Sequence, residues 1–259
     1  PETTPTPETT SPPETTSIPP TPTSPTTDVA HAPKVGNCYQ TTKHSFHHHR
    51  DGSQPVPCKR KHTTETFAVF ETKQYPGPNK MDQIWRVCGS RFAKYVGGSD
   101  TVSTLGYVVL RPSVDQSVDG QTWVRCDAVN RLSLNGEVGL PHHGSLRHAL
   151  AKEVPDRYRG CANHKPKATN PVFFKSCQNR HKAELIPKSK TLGGPHAKYP
   201  GKKSVESTSE SFCKDIVPNW VPEATSYYYY YPTKKSWESN SHQTVCWGFG
   251  KSATSLPPI

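Results

Sequence analysis

The sequence predicts an α+β protein made of two tandem small disulfide-stapled domains, each an antiparallel sheet with one main helix, preceded by a disordered Pro/Thr-rich stalk. Three observations predict this architecture. The chain begins with a low-complexity segment, a set of landmarks occurs twice, and eight cysteines are widely spread without a Cys-x-x-Cys pair. The predicted parts are the stalk (1–33), a first repeat (34–144), a connecting helix or linker (145–157), a second repeat (158–252) and a tail (253–259).

The stalk is predicted from composition. Pro-Glu-Thr-Thr starts at Pro1, Pro7 and Pro13, and nearly all other residues up to 27 are Pro, Thr or Ser. Such a segment cannot bury enough apolar surface to offset the entropy of ordering it, so we expect an extended, partly polyproline-II chain. Tracts of this kind in exported proteins are common O-glycosylation substrates. A disordered terminus that provides only reach is the alternative.

The remainder contains an internal repeat. Both copies carry Cys-x-x-x-His-x-x-Glu, from Cys58 and from Cys177, and both carry Tyr-Pro-Gly, from Tyr75 and from Tyr199. Corresponding cysteines are 123, 119, 125 and 120 residues apart, a register that chance would not maintain. The corresponding pairs are Cys38 and Cys161, Cys58 and Cys177, Cys88 and Cys213, and Cys126 and Cys246.

Hydrophobic periodicity predicts the elements of each repeat. In the first repeat, apolar residues at helical spacing indicate a helix that Asn79 caps and Gly97-Gly98 ends. Its elements are a short strand (35–41), an alternating, half-buried strand (64–71), a turn (75–78), the helix (80–95) and a hairpin (105–111 and 122–130). In the second repeat the corresponding segments are the apolar pair 173–174, a strand (183–186), a helix (205–216) and two strands (226–231 and 243–249). Residues 145–152 are predicted to form a short connecting helix.

The cysteines predict structural disulfides in an oxidising compartment, because their number is even and no metal-binding or redox spacing is present. Four cysteines per repeat allow three pairings. The order of the predicted elements favours joining the first two cysteines of a repeat and tying its helix to its closing hairpin. The favoured pairs are Cys38–Cys58, Cys88–Cys126, Cys161–Cys177 and Cys213–Cys246.

The doubled Cys-x-x-x-His-x-x-Glu motif has two interpretations. Thiolate, imidazole and carboxylate are zinc ligands, which suggests metal sites at Cys58, His62 and Glu65 and at Cys177, His181 and Glu184. With such sites the protein would be a metal-binding protein or a metal-dependent hydrolase. Oxidised cysteines offer no thiolate, however, and the His and Glu can instead hold the turn into the strand through hydrogen bonds. We favour the structural interpretation and predict no metal and no cofactor. For His44, the run 47–49 and His142-His143, a solvated loop is favoured over a surface metal site.

Five consecutive tyrosines, 227–231, predict a strand whose alternate rings face opposite sides. One set, Tyr227, Tyr229 and Tyr231, forms a candidate interaction surface with Lys234, Lys235 and Trp237. An amphipathic strand of bulky β-formers is the alternative.

Charge and missing motifs restrict the function. Residues 1–28 hold four acids and no Lys or Arg, so the net charge of +11 for the whole chain becomes +15 without them. A surface this basic favours an anionic cell-wall or lipid polymer, or an envelope protein, as partner. No nucleophile, zinc-protease, phosphate-loop or nucleic-acid recognition pattern occurs, so we expect neither an enzyme nor a nucleic-acid partner. No apolar run spans a membrane, and membrane association would require an N-terminal anchor absent from this sequence.

The landmarks together resemble the septum-formation domain family of actinobacterial cell-envelope proteins. The shared pattern is Gly-x-Cys, then Pro-Cys-x-x-x-His-x-x-Glu before a strand, Tyr-Pro-Gly, a helix carrying a Cys, and a closing strand such as Trp-Val-x-Cys. The resemblance covers about 34–130 and, more loosely, 158–250. It implies an extracytoplasmic module, tethered by a membrane helix or lipid anchor through a Pro/Thr-rich spacer. The family name implies a link to the division septum, and the family has no associated enzymatic activity.

Overall fold

The computed structural model describes residues 32–72, 78–133, 139–166, 172–239, 241–251 and 256–259. Residues 32–259 form one compact unit that contains two β-sheets. The predicted stalk lies outside the described residues except for its last two positions. The first Tyr-Pro-Gly landmark also lies outside them.

Seven described strands form the first sheet. They are β1 (Cys38–Tyr39), β2 (Arg50–Asp51), β3 (Pro55–Val56), β4 (Thr64–Phe70), β5 (Leu105–Pro112), β6 (Val124–Arg131) and β7 (Gly139–Leu140). Their order is β2-β5-β6-β4-β1-β3, with β7 also paired to β6. The predicted hairpin is the antiparallel pair of β5 and β6, whereas β2 pairs with β5 in parallel.

Helices flank this sheet. They are α1 (Lys43–His48), α2 (Pro78–Val96) and α3 (Val114–Val118). Helix α2 buries Ile84, Cys88 and Phe92 against the sheet, at the four-residue spacing of one helix face. Asn79 was predicted to cap α2, but the helix begins at Pro78, because a proline suits the first helical position, where no N–H is needed. Gly97 follows the helix with a φ of +81°, as the predicted glycine stop requires.

The second sheet repeats this arrangement with fewer strands. Its described strands are β8 (Cys161–Ala162), β9 (Ala183–Thr191), β10 (Ser226–Tyr230) and β11 (Gln243–Phe249), in the antiparallel order β10-β11-β9-β8. Helix α4 (Lys202–Trp220) packs on it, and α5 (Lys234–Glu238) follows β10. The prediction for this repeat missed β8, a 3-10 turn at Asp156–Tyr158, and α5, a five-residue helix whose N-cap is Thr233.

Register is shared between the two sheets. Cys38 of β1 lies opposite Glu65 of β4, and Cys161 of β8 lies opposite Glu184 of β9. The two helices, α2 and α4, have 19 residues each and are each tied to the sheet by a disulfide. Four strands and one long helix of the first repeat (β1, β4, α2, β5 and β6) therefore have counterparts in the same order in the second (β8, β9, α4, β10 and β11).

Four disulfides join the eight cysteines in the pairing favoured above: Cys38–Cys58, Cys88–Cys126, Cys161–Cys177 and Cys213–Cys246. Every pair lies within one repeat. Cys88, Cys126, Cys213 and Cys246 are completely buried, so two of the disulfides sit at the centre of the helix–sheet contacts.

The predicted connecting helix over 145–152 is wrong, since these residues form turns. Several of their backbone N–H groups donate to other parts of the fold: Leu146 to the Glu65 carboxylate, His148 to the Tyr95 carbonyl and Leu150 to the Val96 carbonyl. Leu146 and Leu150 are both buried against the first core. The apolar spacing that suggested a helix is thus explained by a segment wrapped over the core.

The second face of the first sheet is also covered, which the half-buried pattern predicted for β4 did not anticipate. Arg125 is 1% exposed and bonds to Asp51 at 2.6 Å and to Asp127 at 3.0 Å. Its guanidinium also lies 3.7 Å from the centre of the Tyr39 ring. Because Asp51 belongs to β2, this ion pair helps to hold β2 in its place beside β5.

Candidate functional site

The first copy of the repeated motif forms a buried cluster beside a disulfide. His62 and Glu65 lie with Cys38, the disulfide partner of Cys58, and ligand-type atoms of the three residues lie within 4.8 Å of one another. Pairing of β1 with β4 produces this cluster by placing Cys38 opposite Glu65. The cysteine beside the His and Glu is therefore the one at the start of the repeat, and not the one in the motif.

Both carboxylate oxygens of Glu65 accept hydrogen bonds from residues near the first sheet. Glu65 accepts hydrogen bonds from the Tyr95 hydroxyl at 2.7 Å, the Ser145 hydroxyl at 2.5 Å and the Leu146 backbone N–H. Burial, together with the Glu65 carboxylate, raises the pKa of Tyr95 well above its ordinary value, so this hydroxyl keeps its proton and donates. Glu65 thus pins the segment that follows β7 to helix α2.

His62 holds the turn into β4. Its Nδ1 lies 2.8 Å from the Arg60 carbonyl, so Nδ1 carries the proton, and its backbone pairs with that of His142. The two imidazole rings meet edge to face with centroids 4.2 Å apart. Nε2 of each ring is buried without a hydrogen-bond partner among the described residues.

The second copy repeats the turn and changes the carboxylate contacts. His181 Nδ1 lies 2.8 Å from the Asn179 carbonyl, as His62 does with Arg60. Here His181 Nε2 contacts Glu184 at 2.7 Å, and Arg159 bonds to the other oxygen of Glu184 at 2.8 Å. The backbone of His181 pairs with Leu256, which takes the place that His142 has in the first copy.

These contacts favour the structural interpretation of the motif over the metal interpretation. Cys38 and Cys161 are oxidised, so neither offers a thiolate. Both oxygens of Glu65 accept hydrogen bonds from the first domain, and both oxygens of Glu184 face cationic or ring N–H donors. Among the motif residues that the structure describes, only Nε2 of His62 has no hydrogen-bond partner, and Nε2 of the neighbouring His142 is likewise unsatisfied. The arrangement can order a turn and clamp neighbouring segments.

Replacing Glu65 tests this clamp. We expect Glu65→Gln to lower the free energy of unfolding by about 1.5–3 kcal/mol, because an amide nitrogen then faces N–H and O–H donors. Urea unfolding measures the loss, with Glu71→Gln as the matched control, since Glu71 is exposed just beyond the same strand. Equal effects of the two substitutions would contradict the clamp.

His142, predicted to lie in a solvated loop, is instead buried against His62, and it makes the stability depend on pH. Burial, and then the neighbouring His62, lowers the pKa of His142 from 6.5 to about 4. Between these values the unfolded chain binds the proton that the folded chain refuses, so stability falls as the pH drops from about 6.5 to 4, by about 3 kcal/mol. Urea unfolding at pH 7, 5 and 4 measures it, and His142→Gln should flatten the profile over this range. An unchanged profile in the variant would show that other groups titrate.

The tyrosine strand forms the second candidate site. Tyr227 and Tyr229 have ring centroids 6.4 Å apart, and Tyr231 continues the row 6.0 Å from Tyr229. Tyr228 and Tyr230 lie on the other face of the strand and pack against the buried cluster around Trp247. Burial, and then the neighbouring Tyr228, raises the pKa of Tyr230 to about 12. Alternate rings thus face opposite sides, as predicted, but Tyr227 and Tyr229 also pack against the buried cluster around Cys213 of α4. All five tyrosines are partly exposed, so no set is free of the core.

Trp237 does not belong to this surface, contrary to the prediction. It is 4% exposed, its indole N–H donates to the Ala197 carbonyl at 2.6 Å, and its ring stacks on His242 at 4.2 Å. Helix α5 turns this indole inward, whereas Lys234 and Lys235 at its start remain exposed.

The histidine run was predicted as a solvated loop, but His44, His47 and His48 lie on helix α1, and the His44 and His48 rings are 4.3 Å apart. A Thr42 side chain caps this helix, and His49 ends it with a positive φ. A Thr-x-x-Ser start was the only sequence signal for α1. His44 and His48 are exposed, so the solvated part of the prediction agrees with the structure.

Fold and site define a disulfide-stapled α+β protein with antiparallel-rich sheets. The sequence model of the septum formation family matches residues 10–110 and 35–246, the second match covering most of the chain. The protein therefore belongs to the septum formation family. No curated protein and no solved structure matches it. Across the described ranges, no helix has the length and apolar character needed to cross a membrane.

Proposed function

We propose that the protein is a non-catalytic binding module of the cell envelope, outside the cytoplasm, acting at the division septum or in cell-wall assembly. In this proposal two tandem copies stand at the end of the Pro/Thr-rich spacer and bind an envelope protein or an anionic polymer. Membership of the septum formation family supports the setting. Four disulfides support an oxidising compartment.

One observation supports the location of the binding surface: the two sheets end differently. In the first sheet β2 lies outside β5, which is itself paired with β6. In the second sheet β10 has the place of β5, and it is the last described strand on its side. Edge strands present backbone donors and acceptors to a partner, and aromatic side chains are enriched in interfaces. The row of Tyr227, Tyr229 and Tyr231 lies on this edge.

Charge supports an anionic partner at the same edge. Lys234 and Lys235 begin α5, three residues after Tyr231, and both are exposed. They follow a tyrosine row that can contact sugar rings or an apolar segment, while the ammonium groups meet acidic groups. This combination suits a partner with a flat, partly apolar surface and negative charge.

The test is co-sedimentation of the protein with purified cell-wall material, and with phosphatidylglycerol or phosphatidylcholine vesicles. Retention on the anionic material should fall steeply between about 0.05 M and about 0.5 M salt. Lys234→Gln/Lys235→Gln and Tyr231→Ala should each weaken retention several-fold. The matched control is Lys202→Gln/Lys203→Gln, which removes the same charge from the exposed start of α4.

Two results would contradict the proposal. Equal losses in the Lys234/Lys235 and Lys202/Lys203 variants would mean that net charge alone is responsible, without a site at the tyrosine edge. Retention that ignores both salt and the substitutions would remove the electrostatic part and the surface together. Unfolding midpoints of all variants should match the unsubstituted protein, so that lost retention reports the surface.

A further inference from the structure

A pocket of about 370 Å³ lies between the two copies, away from the tyrosine edge. One wall comes from the first sheet, with Thr104 just before β5 and Asn130 and Arg131 at the end of β6. The other wall comes from residues 156–159 and from the segment 174–178 of the second copy. Its volume falls within the range of about 300–1,000 Å³ that is usual for small-molecule sites.

Backbone hydrogen bonds fix the two walls to each other. The Thr104 N–H donates to the Tyr158 carbonyl at 2.8 Å, and the Phe174 N–H donates to the Leu132 carbonyl at 2.8 Å. Because both bonds join first-copy to second-copy residues, the pocket is a built feature of the interface. Its shape does not depend on exposed side chains alone.

The lining is strongly basic. It contributes four cationic side chains, Arg131, Arg157, Arg159 and Lys175, against one carboxylate, Asp156. Lys175 donates only to neutral oxygens in its described bonds, those of Asn163 and of the Arg180 carbonyl. Its positive charge is therefore not neutralised by those contacts.

Two of the arginines, Arg159 and Arg131, have acidic neighbours, and Arg159 also has one N–H donor without a described partner. Arg159 forms an ion pair with Glu184 through Nη2. Arg131 interacts electrostatically with the Asp100 carboxylate, and its guanidinium donates hydrogen bonds to backbone carbonyls. Arg159 Nε is buried and has no hydrogen-bond partner in the described part of the chain. The excess charge of the pocket thus comes mainly from Arg157 and Lys175.

Two further buried polar atoms in the pocket wall are unsatisfied. Thr104 is 5% exposed, and its hydroxyl oxygen has no partner among the described residues; the same holds for the side-chain oxygen of Asn130. Leaving such groups unsatisfied costs about 1–3 kcal/mol each. Three residues that line this basic pocket therefore each carry a buried polar atom without a partner among the described residues, which suits a polar ligand.

We infer that this pocket binds a small anion, a phosphate or carboxylate that also carries hydroxyl groups. Arg157 and Lys175 attract the anionic group, and Arg159 Nε and the Thr104 hydroxyl donate to it after small side-chain rotations. The Asn130 oxygen, which can only accept, takes a hydrogen bond from a ligand hydroxyl. Free ligand and the end of a polymer share this chemistry.

Isothermal titration calorimetry on the whole protein tests the inference, with sn-glycerol 3-phosphate, inorganic phosphate and glycerol as probes. Glycerol phosphate should bind saturably with one site, inorganic phosphate several-fold more weakly, and glycerol not measurably. A poly(glycerol phosphate) chain that competes for the same site would identify a polymer end as the source. A chain that does not compete would identify the free ligand.

Two variants separate a ligand site from a structural role. Arg157→Gln/Lys175→Gln should weaken glycerol phosphate binding at least tenfold, whereas Lys202→Gln/Lys203→Gln, with the same charge change, should leave it unaltered. Thr104→Val keeps the shape of a side chain whose hydroxyl bonds to nothing described, so it should weaken binding several-fold without lowering the unfolding midpoint. Absence of saturable binding, or binding that neither Arg157→Gln/Lys175→Gln nor Thr104→Val weakens, would overturn the inference. Neither result affects the tyrosine-edge proposal, whose assay uses other residues.

Discussion

Replacing Arg125 by methionine should lower the free energy of unfolding by about 3–5 kcal/mol, the largest loss expected from a single substitution in this protein. Arg125 is 1% exposed, while Asp51 and Asp127 are 2% and 0% exposed. Burial alone lowers the pKa of Arg125, but the carboxylates of Asp127 and Asp51 outweigh it and raise the pKa above its ordinary value. Without the guanidinium, two buried carboxylates face each other without a cation. Urea unfolding monitored by circular dichroism measures the loss.

The control is the variant that removes the charge of all three groups, Arg125→Met with Asp51→Asn and Asp127→Asn. It should recover a large part of the lost stability, because no charge is left buried without a partner. A loss below about 1 kcal/mol in Arg125→Met would contradict the buried network. A triple variant as unstable as the single one would show that packing of the Arg125 stem, and not charge, is responsible.

Removal of a helix–sheet disulfide should have the second largest effect. We expect Cys88→Ala/Cys126→Ala to cost about 4 kcal/mol, because the disulfide closes a loop of 38 residues in the unfolded chain. Cys213→Ala/Cys246→Ala, with a loop of 33 residues, should cost about the same. Thermal and urea unfolding under non-reducing conditions measure both.

The disulfide at the start of the repeat is the internal comparison. The Cys38–Cys58 disulfide closes a loop of 20 residues, and its removal by Cys38→Ala/Cys58→Ala should cost about 3 kcal/mol. Cys58 is also partly exposed, whereas Cys88 and Cys126 are completely buried, so the helix–sheet pair loses packing as well. A larger loss from Cys38→Ala/Cys58→Ala would mean that the first strand, and not the helix, limits stability.

Sequence reasoning could predict the elements that have strong periodicity. The helices around Cys88 and Cys213 and the strands that end each repeat lie within a few residues of their predicted bounds. The internal repeat supported these predictions, because each landmark occurs in both copies of the sequence. The pairing of the cysteines followed from the same element order.

The elements that sequence reasoning missed are those that tertiary contacts decide. Residues 145–152 have helical apolar spacing, yet Glu65 and the end of α2 accept hydrogen bonds from the Leu146, His148 and Leu150 N–H groups. Nothing in the sequence marks Arg125 as a buried ion pair, because only the fold brings Asp51 to it across 74 residues. Trp237 reads as exposed among lysines, but a short helix turns it inward.

The candidate sites show the same limit. The motif predicted that His and Glu would hold a turn, and His62 and His181 do so through matching carbonyl contacts. Which cysteine joins the cluster depends on strand register, which places Cys38 and Cys161 beside the glutamates. The pocket between the copies was not predictable, because its residues come from both repeats and share no spacing.

The most direct test of this account is the mass of the natively exported protein before and after denaturing reduction, with the disulfides mapped by non-reducing proteolysis. We predict a rise of about 8 Da on reduction, two hydrogens for each of four disulfides, and cross-linked peptides that join cysteines only within one repeat. That result would place the buried His and Glu residues beside oxidised sulfurs. No mass change, together with stoichiometric zinc, would mean that the thiols are reduced ligands, and would contradict the stapled binding module.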